Sequence, residues 1–189
     1  MENQINIIYD ERHIEDYARL LEEFIGQSVV PKYKFWNCII NKDSVVKSIN
    51  ASHKMIVNWA KDNKLPYVII AEQDLHLTCP TSWEYFLKNK PKSYDLYLGC
   101  SYIKNQIPNS DVVENLICGF HLYIVNSNYF DTFLSVQDDQ HIDVAIGDLK
   151  GNFVFCKPFP ALQRIGFSAN NKMIVDYNKV LQEEDIYRG

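Results

Sequence analysis

Glycine is scarce in this 189-residue sequence, at seven residues, and no GxGxxG, Walker A or GxSxG pattern occurs. A phosphate cradle of glycine amides and a serine nucleophile elbow are therefore both disfavoured. A phosphorylated ligand would have to be neutralised by a metal ion or by basic side chains. Basic residues are also in deficit: 19 Lys and Arg stand against 24 Asp and Glu, a formal net charge of −5. That balance argues against a nucleic-acid partner, whose phosphates call for a basic face. The five cysteines, Cys38, Cys79, Cys100, Cys118 and Cys156, are odd in number, irregular in spacing and free of any CxxC pair. A zinc site or disulfide framework fits them poorly, and reduced, buried thiols are expected. No apolar run approaches the roughly 18 residues of a spanning helix. The opening Met1-Glu2-Asn3-Gln4 lacks the basic stretch of a secretion signal, so a cytoplasmic location is expected. There is no internal repeat, low-complexity tract or interdomain linker.

What is present is an ordinary globular composition, 47% hydrophobic and 23% charged, with an aromatic share of 13%. A chain of this length can bury most of its apolar surface as one domain. Apolar strands alternate with helical patterns. Residues 4–9 read as a first strand, and residues 14–25 as a helix with Tyr17, Leu20, Leu21, Phe24 and Ile25 at helical spacing. Residues 33–40 read as a second strand, and Asp43 or Ser44 caps a helix running to about residue 62. Its inner face carries Val45, Ile49, Ser52, Ile56 and Trp59. The run 65–71 reads as a strand buried on both faces. A short helix over 80–88, strands over 94–100 and 116–125, a helix over 129–136, a helix or loop-helix over 141–149 and a strand over 153–156 follow. Residues 101–115 read as a loop, and residues after 167 as polar with few apolar anchors. The expectation is an α/β fold with a mainly parallel central sheet: one domain over 1–189, its core at about 5–168 and a polar tail at 169–189.

Chemistry concentrates where the third strand ends, at Glu72-Gln73-Asp74. Ligands of open α/β sheets collect beyond such carboxyl ends. At spacing two in an extended segment both carboxylates face one side, a pair that suits Mg²⁺ or Mn²⁺; solvated residues opening a loop are an equally ordinary reading. Ser52-His53 falls on the apolar side of its helix, where a small packing residue beside a satisfied histidine is the commoner case. His141-Ile142-Asp143 offers a general base, although Asp near a helix start is usually a cap. The Pro-rich stretch 157–168 can wall a pocket, and its Arg164 could meet a diphosphate, although a surface Arg is the more common case.

Taken in order, these features resemble glycosyltransferase family 25, the lipopolysaccharide and collagen galactosyltransferase group. The resemblance rests on the opening strand with Asp10-Glu11-Arg12, Ser52-His53, Glu72-Gln73-Asp74, the segment Gly119-Phe120-His121-Leu122-Tyr123, His141-Ile142-Asp143, and a tail containing Pro158 or Pro160, Gln163 and Ser168. It spans roughly residues 5–168. It implies a GT-A (Rossmann-like) fold and an inverting transfer of a hexose, galactose from UDP being the family-based guess, to a carbohydrate acceptor, as in lipopolysaccharide biosynthesis. It further implies Mn²⁺ or Mg²⁺ on Asp74 with Glu72 assisting. Tyr9, Asp10, Arg12, Ser52, His53, Gln73 and Gln163 would lie around the nucleotide sugar, with Asp143 as catalytic base and His141 behind it. Gln73 stands where the family carries Asp, which removes a charge and leaves a weaker metal site or a metal-independent variant open. Two other readings remain: a transferase acting on a protein hydroxyl or modified nucleobase, and a catalytically degenerate GT-A domain that binds a nucleotide sugar or a partner protein.

Overall fold

The computed structural model describes residues 3–102 and 118–189. In chain order the elements are β1 (Gln4–Tyr9), α1 (Ile14–Ile25), β2 (Lys32–Asn37), α2 (Val45–Asp62), β3 (Tyr67–Glu72), β4 (Leu75–Leu77), α3 (Ser82–Lys88), β5 (Leu96–Leu98), β6 (Leu122–Asn126), α4 (Phe130–Leu134), α5 (Ile142–Asp148), β7 (Phe153–Phe155), β8 (Ala161–Gln163), β9 (Gly166–Ser168) and β10 (Met173–Val175). Short 3-10 turns at Glu11–His13, Ser127–Tyr129, Tyr177–Val180 and Glu183–Asp185 join them.

Six of these strands form one twisted sheet in the order β2-β1-β3-β6-β5-β7. Pairs β1/β2, β1/β3 and β5/β7 are parallel, and β6 runs against both its neighbours, β3 and β5. The expected α/β fold with a mainly parallel sheet is thus the observed one. β3 shows why its sequence is apolar throughout. Val68 and Ile70 pack toward α2, α4 and α5, while Ile69 and Ala71 pack toward α1 and α3. Alternate side chains enter opposite layers, and both layers are covered. Two small antiparallel ribbons, β4/β8 and β9/β10, lie beyond the sheet.

The helices follow local rules. Ser44 caps α2, its hydroxyl accepting the Lys47 amide at 3.2 Å, and Asp10 caps the turn before α1 in the same way at 3.0 Å. The apolar stripe of α2 buries Ile56, Val57 and Ala60, while Val45, expected on the inner face, is exposed at the helix start. In α1, Ile25 is likewise exposed at the last turn, while Leu20 and Phe24 are buried. Several strands are shorter than their apolar runs. β2 ends at Asn37, because residues 38–40 turn away to line a groove. The strand expected over 94–100 is reduced to Leu96–Leu98, and the one expected over 116–125 begins at Leu122; residues 116 and 117 lie outside the described residues. Of the loop expected over 101–115, residues 103–115 also lie outside them. The helix expected over 129–136 is a 3-10 turn followed by a short α-helix.

Residues 169–189, expected as a polar tail, pack back on the core. Leu181 is buried with Cys100, Tyr102, Phe159 and Leu162. The Phe159 amide donates to the Asp185 carbonyl at 2.7 Å, the Tyr187 amide donates to the Phe159 carbonyl at 3.0 Å, and the Tyr187 ring stacks on Tyr85 at 3.8 Å. Among the described residues, no helix is long and apolar enough to cross a membrane.

Candidate functional site

The antiparallel course of β6 builds the site. The register pairs Ala71 with Leu122, so the residue before β6, His121, lies beside the residue that ends β3, Glu72. The Glu72 amide donates to the His121 carbonyl at 3.2 Å. β3 then turns sharply through Gln73 and Asp74 into β4, instead of continuing extended as the spacing argument assumed. The two carboxylates still converge. Glu72 Oε2 is 3.0 Å and Asp74 Oδ1 3.7 Å from His121 Nδ1.

Each group is held by a further partner. His53, buried on α2, places Nε2 3.1 Å from Glu72 Oε1 and Nδ1 2.6 Å from the Tyr123 hydroxyl. With Tyr123 donating to Nδ1, the Nε2 hydrogen is left to donate to Glu72. Asp74 Oδ2 accepts from Gln163 Nε2 at 2.7 Å, because β4 and β8 pair with Leu75 opposite Gln163. Burial pushes the Glu72 carboxyl up, but hydrogen bonds from His121 and His53 outweigh it and hold it well below the ordinary carboxylate range. Burial pulls His121 down, and the adjacent carboxylates of Asp74 and Glu72, the latter hydrogen-bonded to it, overcome this and raise it to about 10.

Other residues singled out in the sequence take varied places. Gln73 turns from the carboxylates, and its Oε1 accepts the Asp10 amide at 2.7 Å, tying the ends of β1 and β3 together. The Asp10 carboxylate is engaged by Arg12, whose Nε donates at 2.8 Å, and this hydrogen bond lowers the Asp10 pKa despite its burial. The Tyr9 ring packs on Tyr17 and Phe35 at 5.4 and 5.7 Å and is not among the groove-lining residues. Ser52 Oγ accepts the Ile39 amide at 2.8 Å and donates to the Ser48 carbonyl at 2.7 Å, pinning the 38–41 segment to α2. Arg164 does not face the groove; its NH2 donates to Glu23 Oε1 at 2.6 Å, an ion pair on α1. Asp143, in the first turn of α5, accepts the Gly119 amide on Oδ2 and the Val144 amide on Oδ1, both at 2.9 Å. His141 precedes that helix and is exposed.

Two cavities meet at Glu72. A groove of about 550 Å³ runs past Asp10, Arg12, Ile39, Ser52 and Asp74. A smaller pocket of about 130 Å³ holds Asp143, His141, Tyr102 and Tyr177. Glu72, His53 and Gln163 line both.

Ligand atoms of Glu72, Asp74 and His121 all lie within 4.8 Å of one another. Asp74 Oδ1 is buried without a hydrogen-bond partner among the described residues. Two carboxylate oxygens and, once His121 gives up a ring proton, an imidazole nitrogen are a donor set that a divalent ion such as Mn²⁺ or Mg²⁺ accepts, so the residues present fit such an ion. His121 was not proposed as a ligand from the sequence. Its signal was a lone imidazole two residues before Tyr123 in an otherwise apolar run.

No protein-family model and no curated protein matches the sequence. Solved structures do match its fold. The glycosyltransferase GlyE of Streptococcus pneumoniae TIGR4 is 8% identical with a TM-score of 0.53, over 82% of this chain and 45% of that one. The chain thus spans less than half the length of GlyE. A Drosophila β-1,4-galactosyltransferase 7 variant, solved with manganese, UDP-Gal and xylobiose, is 11% identical with a TM-score of 0.44, over 99% and 76% of the two chains. The protein A197 from STIV is 12% identical with a TM-score of 0.47, over 98% and 97%. At these identities the likeness is one of fold, and the chain has the GT-A-like α/β fold of glycosyltransferases.

Proposed function

We propose that this chain is a metal-dependent, inverting glycosyltransferase that moves a hexose from a nucleoside diphosphate to a carbohydrate hydroxyl, with UDP-galactose the first donor to try. The observation that carries this reading is the Glu72, Asp74 and His121 cluster at the junction of a long groove and a small pocket. The groove has room for a nucleotide sugar alongside the cluster, and ligands of open α/β sheets sit at this place. Kinship with glycosyltransferase family 25 belongs to the same proposal. Supporting it, Ser52-His53, Glu72-Gln73-Asp74, His121, Asp143 and Gln163, scattered over more than a hundred positions of sequence, all line these two cavities or the cluster.

In the proposed reaction Glu72, Asp74 and His121 would hold the divalent ion. When bound, the ion supplies positive charge against the phosphate oxygens of the leaving group. His53 and Gln163 fix the orientation of the two carboxylates. Asp143 accepts the acceptor hydroxyl's proton while that oxygen bonds to the anomeric carbon and the carbon–phosphate oxygen bond breaks on the opposite face. Each Asp143 oxygen receives one backbone N–H and keeps a lone pair for the proton. Gln73 does not weaken the case for a metal: its amide oxygen is occupied by the Asp10 amide, and His121 supplies the third donor.

Thermal unfolding against nucleoside diphosphates and nucleotide sugars, each with and without Mn²⁺, tests the reading. A ligand bound to the folded state raises the midpoint by mass action. The expected result is a shift with one nucleotide class that needs Mn²⁺ and disappears in Asp74→Ala, whose own unfolding stays cooperative. No shift with any donor, or a shift indifferent to Asp74→Ala, overturns it.

A further inference from the structure

The smaller pocket has a size and lining of its own. Its volume of about 130 Å³ is close to the roughly 150 Å³ cavity that holds a single benzene ring, the scale of one six-membered ring. Its walls combine the aromatic rings of Tyr102, Phe120 and Tyr177 with the polar groups of Asp143, Gln163 and His121. Gln163 Oε1 and His121 Nε2 are buried and have no hydrogen-bond partner among the described residues. Each Asp143 oxygen keeps a lone pair beside its one backbone N–H, so the wall offers acceptors to a ligand's hydroxyls as well as ring faces to its C–H groups.

Tyr177 is supplied by the C-terminal segment and is firmly placed. Its ring lies 5.7 Å from Tyr102 at 31°, and the next residue is tied down on both sides. The Tyr102 hydroxyl donates to Asn178 Oδ1 at 3.0 Å, and Asn178 Nδ2 donates to the Gln163 carbonyl at 3.0 Å.

We propose that this pocket is a one-ring acceptor subsite, which holds a terminal pyranose against Tyr177 with one hydroxyl at Asp143. The proposal rests on the transferase reading above and narrows its acceptor. A pyranose offers a C–H face to an aromatic ring and hydroxyls to a carboxylate and an amide, which matches both kinds of wall. Because Glu72 lines pocket and groove alike, a ring seated here lies beside the metal cluster. Recognition is then confined to the last sugar of the acceptor, and further rings lie outside.

Saturation-transfer NMR on the full chain, with methyl β-galactopyranoside, methyl β-glucopyranoside, methyl α-mannopyranoside and methyl β-xylopyranoside, decides it. At least one pyranoside should receive saturation on one ring face. Its affinity should fall roughly fivefold or more in Tyr177→Leu and be retained in Tyr177→Phe. Intermolecular NOEs from pyranoside to tyrosine ring protons in the unaltered protein give the same answer should the leucine variant not fold. Absence of saturation with all four, or equal affinity in Tyr177→Leu, overturns the proposal. Displacement of the pyranoside by a nucleotide sugar but not by its nucleoside diphosphate also overturns it, by assigning the pocket to the donor's own sugar. The donor-dependent thermal shift is read separately, so failure of the transferase reading and failure of this one are told apart.

Discussion

A carboxylate drawn largely out of water stays an anion only when its oxygens are met by hydrogen bonds or charge, and half-buried Glu72 has an imidazole at each oxygen. Such a group is held in one orientation before any ligand arrives. Two single-residue changes probe what surrounds it. Gly119 has φ of +103°, and a Cβ added there would fall 2.8 Å from His121 Nε2 and 3.0 Å from Tyr102 Cδ2. Gly119→Ala should therefore destabilise the fold by about 1–3 kcal/mol and, by displacing His121, weaken Mn²⁺ binding. Urea unfolding and a Mn²⁺ titration measure the two effects, and a variant unchanged in both contradicts the geometry. Asp143→Asn keeps the side chain's size while removing its basicity. Turnover should drop by about 10²–10⁴-fold while the Mn²⁺-dependent donor shift remains; full turnover removes Asp143 from the role of base. Glu72 and Asp74 were legible in the sequence because charge at the end of an apolar run stands out. Tyr9 was misplaced because its adjacency to Asp10 in sequence hides that alternate strand residues face opposite layers.

Glu23 on helix α1 reaches the β4/β8 ribbon with both carboxylate oxygens. Glu23 Oε1 is 2.8 Å from His76 Nδ1 and 2.6 Å from Arg164 NH2, and Oε2 accepts the Leu77 amide at 2.9 Å. Burial raises the Glu23 pKa, and these bonds outweigh it, leaving the pKa below its ordinary value. A lowered folded pKa stabilises the protein above the unfolded value of about 4.3, and that contribution fades as pH falls through the folded pKa. Glu23→Gln should thus cost about 1–2 kcal/mol near neutral pH, and the gap to the parent protein should narrow on acidification. Urea unfolding of both proteins at neutral and acidic pH is the measurement, and a gap independent of pH rules the linkage out. The helix itself was readable from its apolar spacing and its bounds, Ile14–Ile25, agree with that reading. The use of Arg164 was not, because a contact across 141 positions leaves no local periodicity. α2 gave up its cap and length for the same reason that α1 did, whereas the partners of His53 depend on where β3 and β6 meet.

At the scale of the molecule, alternating strands and helices declared an α/β fold, but not that β6 is reversed. A β6 parallel to β3 would carry His121 to the far end of the sheet from Glu72, so the reversal is what adds an imidazole to the two carboxylates and makes a three-residue cluster that could hold a metal ion. The C-terminal segment was underestimated for a related reason: its apolar anchors, Tyr177, Leu181 and Ile186, are spaced too irregularly to show a period, and they dock singly. Its last part, residues 176–189, gives Tyr177 to the small pocket and no lining residue to the large groove, which Phe167, Ser168, Ala169 and Asn170 reach instead. Removal of residues 176–189 should expose Cys100, Tyr102, Phe159 and Leu162. A loss of about 3 kcal/mol or more is expected from Leu181 and its partly buried neighbours alone. The two ligand sites should part company in that shortened chain: the Mn²⁺-dependent donor shift persists from a lower starting midpoint, and pyranoside saturation vanishes with Tyr177. Urea unfolding, the donor panel and the pyranoside spectra on one preparation give all three readouts. A shortened chain as stable as the parent, or one that still binds the pyranoside, contradicts the placement of the C-terminal segment as wall of the pocket.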